Sequence, residues 1–112
     1  MSYFVKTCLA LGLPAPIKEY RFHPKRKWRC DYFIPIYNPP VVGLAIELEG
    51  GLWASIRGGK SRHFYGEGAA NDMIKYSALT EAGILLLRYQ PKSIDYDQIK
   101  RVHERLKLAK KA

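Results

Sequence analysis

Three acidic residues in a chain dominated by cations have the types and spacing to do chemistry. Asp31 stands in the stretch Trp28-Arg29-Cys30-Asp31-Tyr32-Phe33, and Glu47 and Glu49 follow in Leu44-Ala45-Ile46-Glu47-Leu48-Glu49. Both stretches read as β-strands, where side chains alternate between faces. Asp31 then falls opposite Trp28, Cys30 and Tyr32, while Glu47 and Glu49 share a face with Gly43 and Ala45, whose small size is expected to leave open space beside them. Backbones of paired strands lie about 4.8 Å apart, which would let Asp31 and Glu47 reach one hard cation at oxygen distances of roughly 2.0–2.1 Å, those of Mg²⁺. Carboxylates massed on one sheet face repel one another unless something positive neutralises them. A metal would do so. Ion pairing with Arg29, Arg57 or Lys60 on a solvated face would do so equally well, and the spacing does not choose between the two.

Other residues could join this chemistry. Glu19 lies upstream, either as a further ligand or as a solvated charge among basic neighbours. His63 sits in the Gly-rich basic segment Gly59-Lys60-Ser61-Arg62-His63, where it could contact phosphate or move a proton near neutral pH, or do neither. Asp72 and Lys75, three apart on an expected helix, have the spacing of a surface ion pair.

The elements that must position these groups follow from punctuation and periodicity. The sequence predicts a helix over Ser2–Leu11 stopped by Gly12 and Pro14, and a strand over Lys18–His23. A turn at Pro24-Lys25-Arg26-Lys27 leads into a strand over Trp28–Tyr37, which Asn38-Pro39-Pro40 ends before a third strand, Val41–Glu49. Gly50–Gly68 reads as a long loop, Ala69–Ala82 as a helix capped by Gly83, and Ile84–Tyr89 as a buried strand. A final helix starts near Asp95 or Asp97, with Ile99, Val102, Leu106 and Ala109 on its apolar face. Trp28 and Tyr32 are expected in the core. The expectation is an α/β fold over residues 1–112 as one domain, in α-β-β-β-α-β-α order, with a mixed four-stranded sheet whose last two strands are joined by a right-handed helical crossover.

Composition narrows the partners. Nineteen Lys and Arg against ten Asp and Glu give a formal net charge of +9 and a pI near 9.7, the footprint of a polyanion binder. Nucleic acid leads, with an acidic membrane surface behind it. The expected phosphate contacts are Arg21, Lys25, Arg26, Lys27 and Arg29 around the first hairpin, and Arg57, Lys60 and Arg62 in the long loop. Trp53, Phe64 and Tyr65 in that loop could stack on an unpaired base, although core cover is the commoner use of any one of them. No stretch reads as a membrane span or a signal peptide, so a cytoplasmic protein with Cys8 and Cys30 as free thiols is expected.

The stretches named above, together with Asp72-Met73-Ile74-Lys75-Tyr76, Glu49-Gly50-Gly51 and the strand ending in Arg88, resemble in order and spacing the PD-(D/E)XK nuclease superfamily. They are most similar to its small phage and bacterial members, related to the VRR-NUC and very-short-patch-repair types, and the likeness spans roughly Glu19 to Tyr89. The resemblance implies a restriction-endonuclease-like fold and Mg²⁺- or Mn²⁺-dependent hydrolysis of phosphodiester bonds, in DNA before RNA. Asp31 and Glu47 correspond to the two acidic motif positions. The third motif position, most often Lys in the superfamily, is Glu49 here. Some branches move the basic residue to the following helix, which would make Lys75 the electrostatic partner of the phosphate. Glu49 would then bind metal or orient water, or activity would be lowered or lost and the chain would act as a non-catalytic nucleic-acid-binding module. Branched-DNA resolution by a homodimer, or repair nicking by a monomer, are the roles such a small enzyme would suit.

Overall fold

The computed structural model describes residues 1–49 and 66–109, with side chains left out for residues 66–71. Within them the chain is α/β, with three helices and a four-stranded mixed sheet. The elements are α1 (Tyr3–Ala10), β1 (Ile17–Arg21), β2 (Arg29–Asn38), β3 (Val41–Leu48), α2 (Gly66–Glu81), β4 (Ile84–Tyr89) and α3 (Tyr96–Leu108). The strands lie in sequence order, β1-β2-β3-β4. β1, β2 and β3 pair antiparallel, and β4 runs parallel to β3 after the return through α2.

Local signals account for most boundaries. Ser2 caps α1 by accepting from the Val5 N–H, and Asp95 caps α3 by accepting from the Gln98 N–H, each satisfying a donor that the first helical turn leaves unpaired. α2 ends at Glu81, and Gly83 just beyond it has a φ of +79°, a left-handed conformation that costs glycine no strain. Asn38 closes α3 from a distance: its side-chain amide donates to the carbonyls of Leu106 at 2.7 Å and Ala109 at 2.9 Å, two acceptors that the helix end cannot use itself.

Both sheet faces are covered. On one, Tyr32, Ile34, Ile36, Leu44 and Ile46 pack against Phe4 and Cys8 of α1 and Ile99 of α3. On the other, Phe33, Ala45 and Ile84 pack against Leu79 of α2. Burial of a Leu, Ile or Phe side chain is worth about 1.5–3 kcal/mol, so these two clusters hold the sheet between its helices. Cys8 and Cys30 are buried free thiols in separate clusters. Burial pushes the Cys8 thiol up to about 11 and the Cys30 thiol up to about 12, so neither is a ready nucleophile near neutral pH.

Several expectations are corrected. α2 begins at Gly66, three residues ahead of the expected start, because the glycines that punctuate the sequence are carried into its first turn. Ala109 is exposed in an extended cap, and His103 takes the buried place on α3, with Nε2 3.2 Å from the Pro35 carbonyl oxygen. Trp28 lies outside both core clusters, in a group of side chains at the hairpin tip with Phe22, His23 and Arg26. Cys30 also breaks the expected alternation. It packs with Phe33 rather than with Tyr32, and its thiol donates to the Tyr20 carbonyl at 3.7 Å. The distortion falls where β2 pairs with β1 next to Glu19, whose φ of +51° is a left-handed conformation uncommon for this residue type.

Candidate active site

The ladder between β2 and β3 pairs Tyr32 with Ile46, so the next positions outward, Asp31 and Glu47, come opposite each other. There the regular pairing gives way to a side-chain contact, in which Asp31 Oδ2 accepts from the Leu48 N–H at 2.7 Å. The strand pair is thus held at its end by the carboxylate itself. The parallel ladder between β3 and β4 sets Arg88 level with Glu47, and the Glu49 N–H donates to the Tyr89 carbonyl at 2.7 Å. α2 covers this sheet face. Asp72, Lys75, Tyr76 and Leu79 recur at the three- and four-residue spacing of one helical face, and Leu79 anchors that face in the core.

Two ion pairs organise the site. Lys75 Nζ donates to Glu47 Oε1 at 2.5 Å, with both side chains mostly shielded from water. Arg88 meets Glu49 Oε2 through Nε at 3.1 Å and Nη2 at 2.6 Å, and Glu49 Oε1 accepts from the Tyr76 hydroxyl at 3.1 Å. The Arg88 guanidinium also lies 4.8 Å from the centre of the Tyr76 ring. This second pair is about half exposed, and water screens it.

Burial raises the Glu47 pKa above its usual range; Lys75 opposes the shift and the neighbouring Asp31 carboxylate adds to it. The Tyr76 hydroxyl is pushed up to about 12, chiefly by burial and then by the Glu49 charge, and stays a neutral donor. The Glu49 hydrogen bonds raise the Arg88 pKa further, so it is charged throughout.

Asp31, Glu47, Glu49 and Lys75, drawn from two strands and a helix, therefore come together on one face. Glu49 does not share in a common carboxylate cluster, because both of its oxygens are engaged by Arg88 and Tyr76. Among the described residues no group of three or more His, Cys, Asp or Glu side chains is gathered as a metal cage. The expected open space beside Glu47 is closed as well. The Phe33 ring lies over Gly43, where an added Cβ would come within 2.3 Å of it, and Ala45 is fully buried.

Glu19 is exposed on β1, between the residues paired with Tyr32 and Cys30. Arg21, Lys25, Arg26, Lys27 and Arg29 are all exposed around the β1–β2 hairpin. Arg57, Lys60, Arg62 and His63, with Trp53, Phe64 and Tyr65, lie outside the described residues. Among the described residues the cations that pair with the acids are Lys75 and Arg88; Arg29, also offered by the sequence as a partner, is exposed on β2, and Arg57 and Lys60 lie outside the described residues. Arg88 and Tyr76 are the members that sequence reasoning misses as functional. A signal was present: Arg88 is the single charge in the apolar run Ile84–Tyr89, and Tyr76 follows Lys75 directly.

No helix among the described residues is long and apolar enough to cross a membrane. No family model, curated protein or solved structure matches this chain.

Proposed function

We propose that this chain is a divalent-metal-dependent endonuclease that hydrolyses phosphodiester bonds in DNA, on a restriction-endonuclease-like fold with α-β-β-β-α-β-α order. The observation that carries the proposal is that Asp31 and Glu47 stand opposite each other one position beyond the Tyr32–Ile46 pair of two adjacent strands, with the Lys75 ammonium held against Glu47. Two carboxylates completed by water and substrate oxygens are what Mg²⁺ ordinarily takes from a protein, so Asp31 and Glu47 fit the ion and a third ligand is not required. Glu49 is held by Arg88 and Tyr76, so the proposal rests on Asp31 and Glu47.

When bound, Mg²⁺ or Mn²⁺ would polarise the scissile phosphate and lower the pKa of a coordinated water. The remaining work belongs to the chain. Lys75 supplies a fixed positive charge beside Glu47, where negative charge builds up on the phosphoryl oxygens. Arg88, pinned by Glu49 and Tyr76 yet about half exposed, offers a pre-set fork of donors to a neighbouring phosphate. The high net charge brings the polyanion to the site.

A second reading is favoured by the same pairs. Glu47 closed on Lys75 and Glu49 closed on Arg88 also describe a self-neutralised site in a nucleic-acid-binding module without catalysis. Nicking of supercoiled plasmid separates the two. The endonuclease cuts with Mg²⁺ or Mn²⁺, is silent in EDTA, and loses at least a hundredfold in Asp31→Ala and Glu47→Ala. A binding module retains the plasmid in EDTA and cuts it with neither metal.

A further inference from the structure

We propose that the β1–β2 hairpin is a preformed finger that grips the sugar-phosphate backbone of duplex DNA without reading its bases. The choice of polyanion rests on the function proposed above; the grip itself needs no catalysis.

From Arg21 to Arg29 the chain reads Arg-Phe-His-Pro-Lys-Arg-Lys-Trp-Arg, five cations without an acid, and all five are exposed. A loop of mobile cations would lose much of its binding energy in becoming ordered. This hairpin is ordered by its own side chains. His23 Nδ1 accepts from the backbone N–H of Lys25 at 3.1 Å and of Arg26 at 2.9 Å, which fixes the turn after Pro24. The His23 ring stands edge-on to Trp28 with centres 5.1 Å apart, and Phe22 lies nearly parallel to Trp28 at 6.3 Å. The Arg26 guanidinium covers the Trp28 ring at 4.9 Å.

Those contacts bear on whether Trp28 can stack on a base. An aromatic side chain that stacks on a base must offer a free face. Trp28 instead serves as the internal spine, approached by Phe22, His23 and Arg26. The exposed side chains of the hairpin are Arg21, Lys25, Arg26, Lys27 and Arg29, with Pro24, while Phe22, His23 and Trp28 are half-buried. The ammonium groups of Lys25 and Lys27 enter no ion pair among the described residues and are available to phosphates.

The finger is also built into the strand that carries Asp31. The Arg21–Arg29 pair closes its base, and Asp31 follows two residues along β2, about 7 Å at ~3.4 Å per residue.

The test is fluorescence anisotropy of short, mixed-sequence DNA duplexes in EDTA, titrated across NaCl concentration. Two duplexes of unrelated sequence should bind alike. The double variant K25Q/K27Q, whose changes lie on exposed side chains, should bind more weakly by about tenfold per lysine at 0.1 M salt and should lose about 2 from the log–log salt slope. Wild-type affinity and slope in that variant, or a preference of more than about tenfold between the two duplexes, would overturn the proposal. So would binding confined to vesicles of anionic lipid. A chain that grips DNA in this way yet never cuts it would refute the endonuclease and leave the finger standing.

Discussion

Lys75, on the second turn from the end of α2, sets its ammonium 2.5 Å from Glu47 Oε1 on β3, and the contact ties a helix to the sheet at the one point where a carboxylate is buried among the described residues. Removing one member of a buried pair leaves the other charge uncompensated, at a cost of about 3–5 kcal/mol. Lys75→Met should therefore unfold at markedly lower denaturant concentration than wild type in EDTA. If Asp31 and Glu47 form a cation site, Mg²⁺ or Mn²⁺ takes over the lost positive charge and restores more stability to this variant than it adds to wild type. Equal metal effects in both proteins would show that no ion reaches Glu47.

Asp31 adds to the upward shift of Glu47, after burial as the larger cause. Asp31→Asn should then move the Glu47 carboxyl back towards the ordinary carboxylate range, as seen by carbon-detected NMR titration of metal-free protein. The sign for stability follows. A carboxyl whose folded pKa lies above its unfolded value of 4.5 favours folding most when protonated, so its contribution is complete below pH 4.5 and is lost as pH rises through the folded value. Asp31→Asn should flatten that decline, and a Glu47 titration unchanged by this substitution would mean that the two carboxyls do not sense each other.

Glu49→Gln separates positioning from metal binding. The Glu49–Arg88 pair is about half exposed, so its loss should cost the fold no more than about 1 kcal/mol. Divalent-cation affinity should stay within about twofold of wild type, since Glu49 is committed to Arg88 and Tyr76, while cleavage should fall by about tenfold as Arg88 loses its anchor. A collapse of metal affinity in Glu49→Gln would make it a ligand after all.

Gly43 and Gly83 carry the backbone requirements of the site's framework. A Cβ on Gly43 would meet the Phe33 ring at 2.3 Å, and one on Gly83 would meet the Pro40 carbonyl oxygen at 2.3 Å with φ already at +79°. Gly43→Ala should cost about 1–3 kcal/mol by overpacking, and Gly83→Ala at least as much, because a carbonyl oxygen cannot rotate away as a ring can. Chemical denaturation measures both, and near-neutral substitutions would remove the close approach of Phe33 to β3.

Much of the framework is legible because it rests on local signals. Gly12, Pro14, Asn38-Pro39-Pro40 and Gly83 punctuate the chain where elements end, and the alternation of Leu44, Ile46 and Leu48 marks one side of β3. The helical return from β3 to β4 and the parallel pairing it allows are also as expected. What the sequence hides is tertiary. That Phe33 fills the space over Gly43, that Cys30 leaves the side of Tyr32, and that Trp28 serves the hairpin instead of the core all depend on contacts between strands or on the fold of a turn. The acids show the same division. Strand position brings Asp31 to Glu47, but only the docking of α2 gives Lys75 to Glu47, and only the β3–β4 register gives Arg88 to Glu49.

The most direct measurement is calorimetric titration of Mn²⁺ into the protein at neutral pH, comparing wild type with Asp31→Asn and Glu47→Gln. A site shared by both carboxylates predicts saturable binding in wild type that either substitution weakens by at least tenfold. Binding that survives both substitutions, or is absent from a folded wild-type protein even with DNA present, would contradict it.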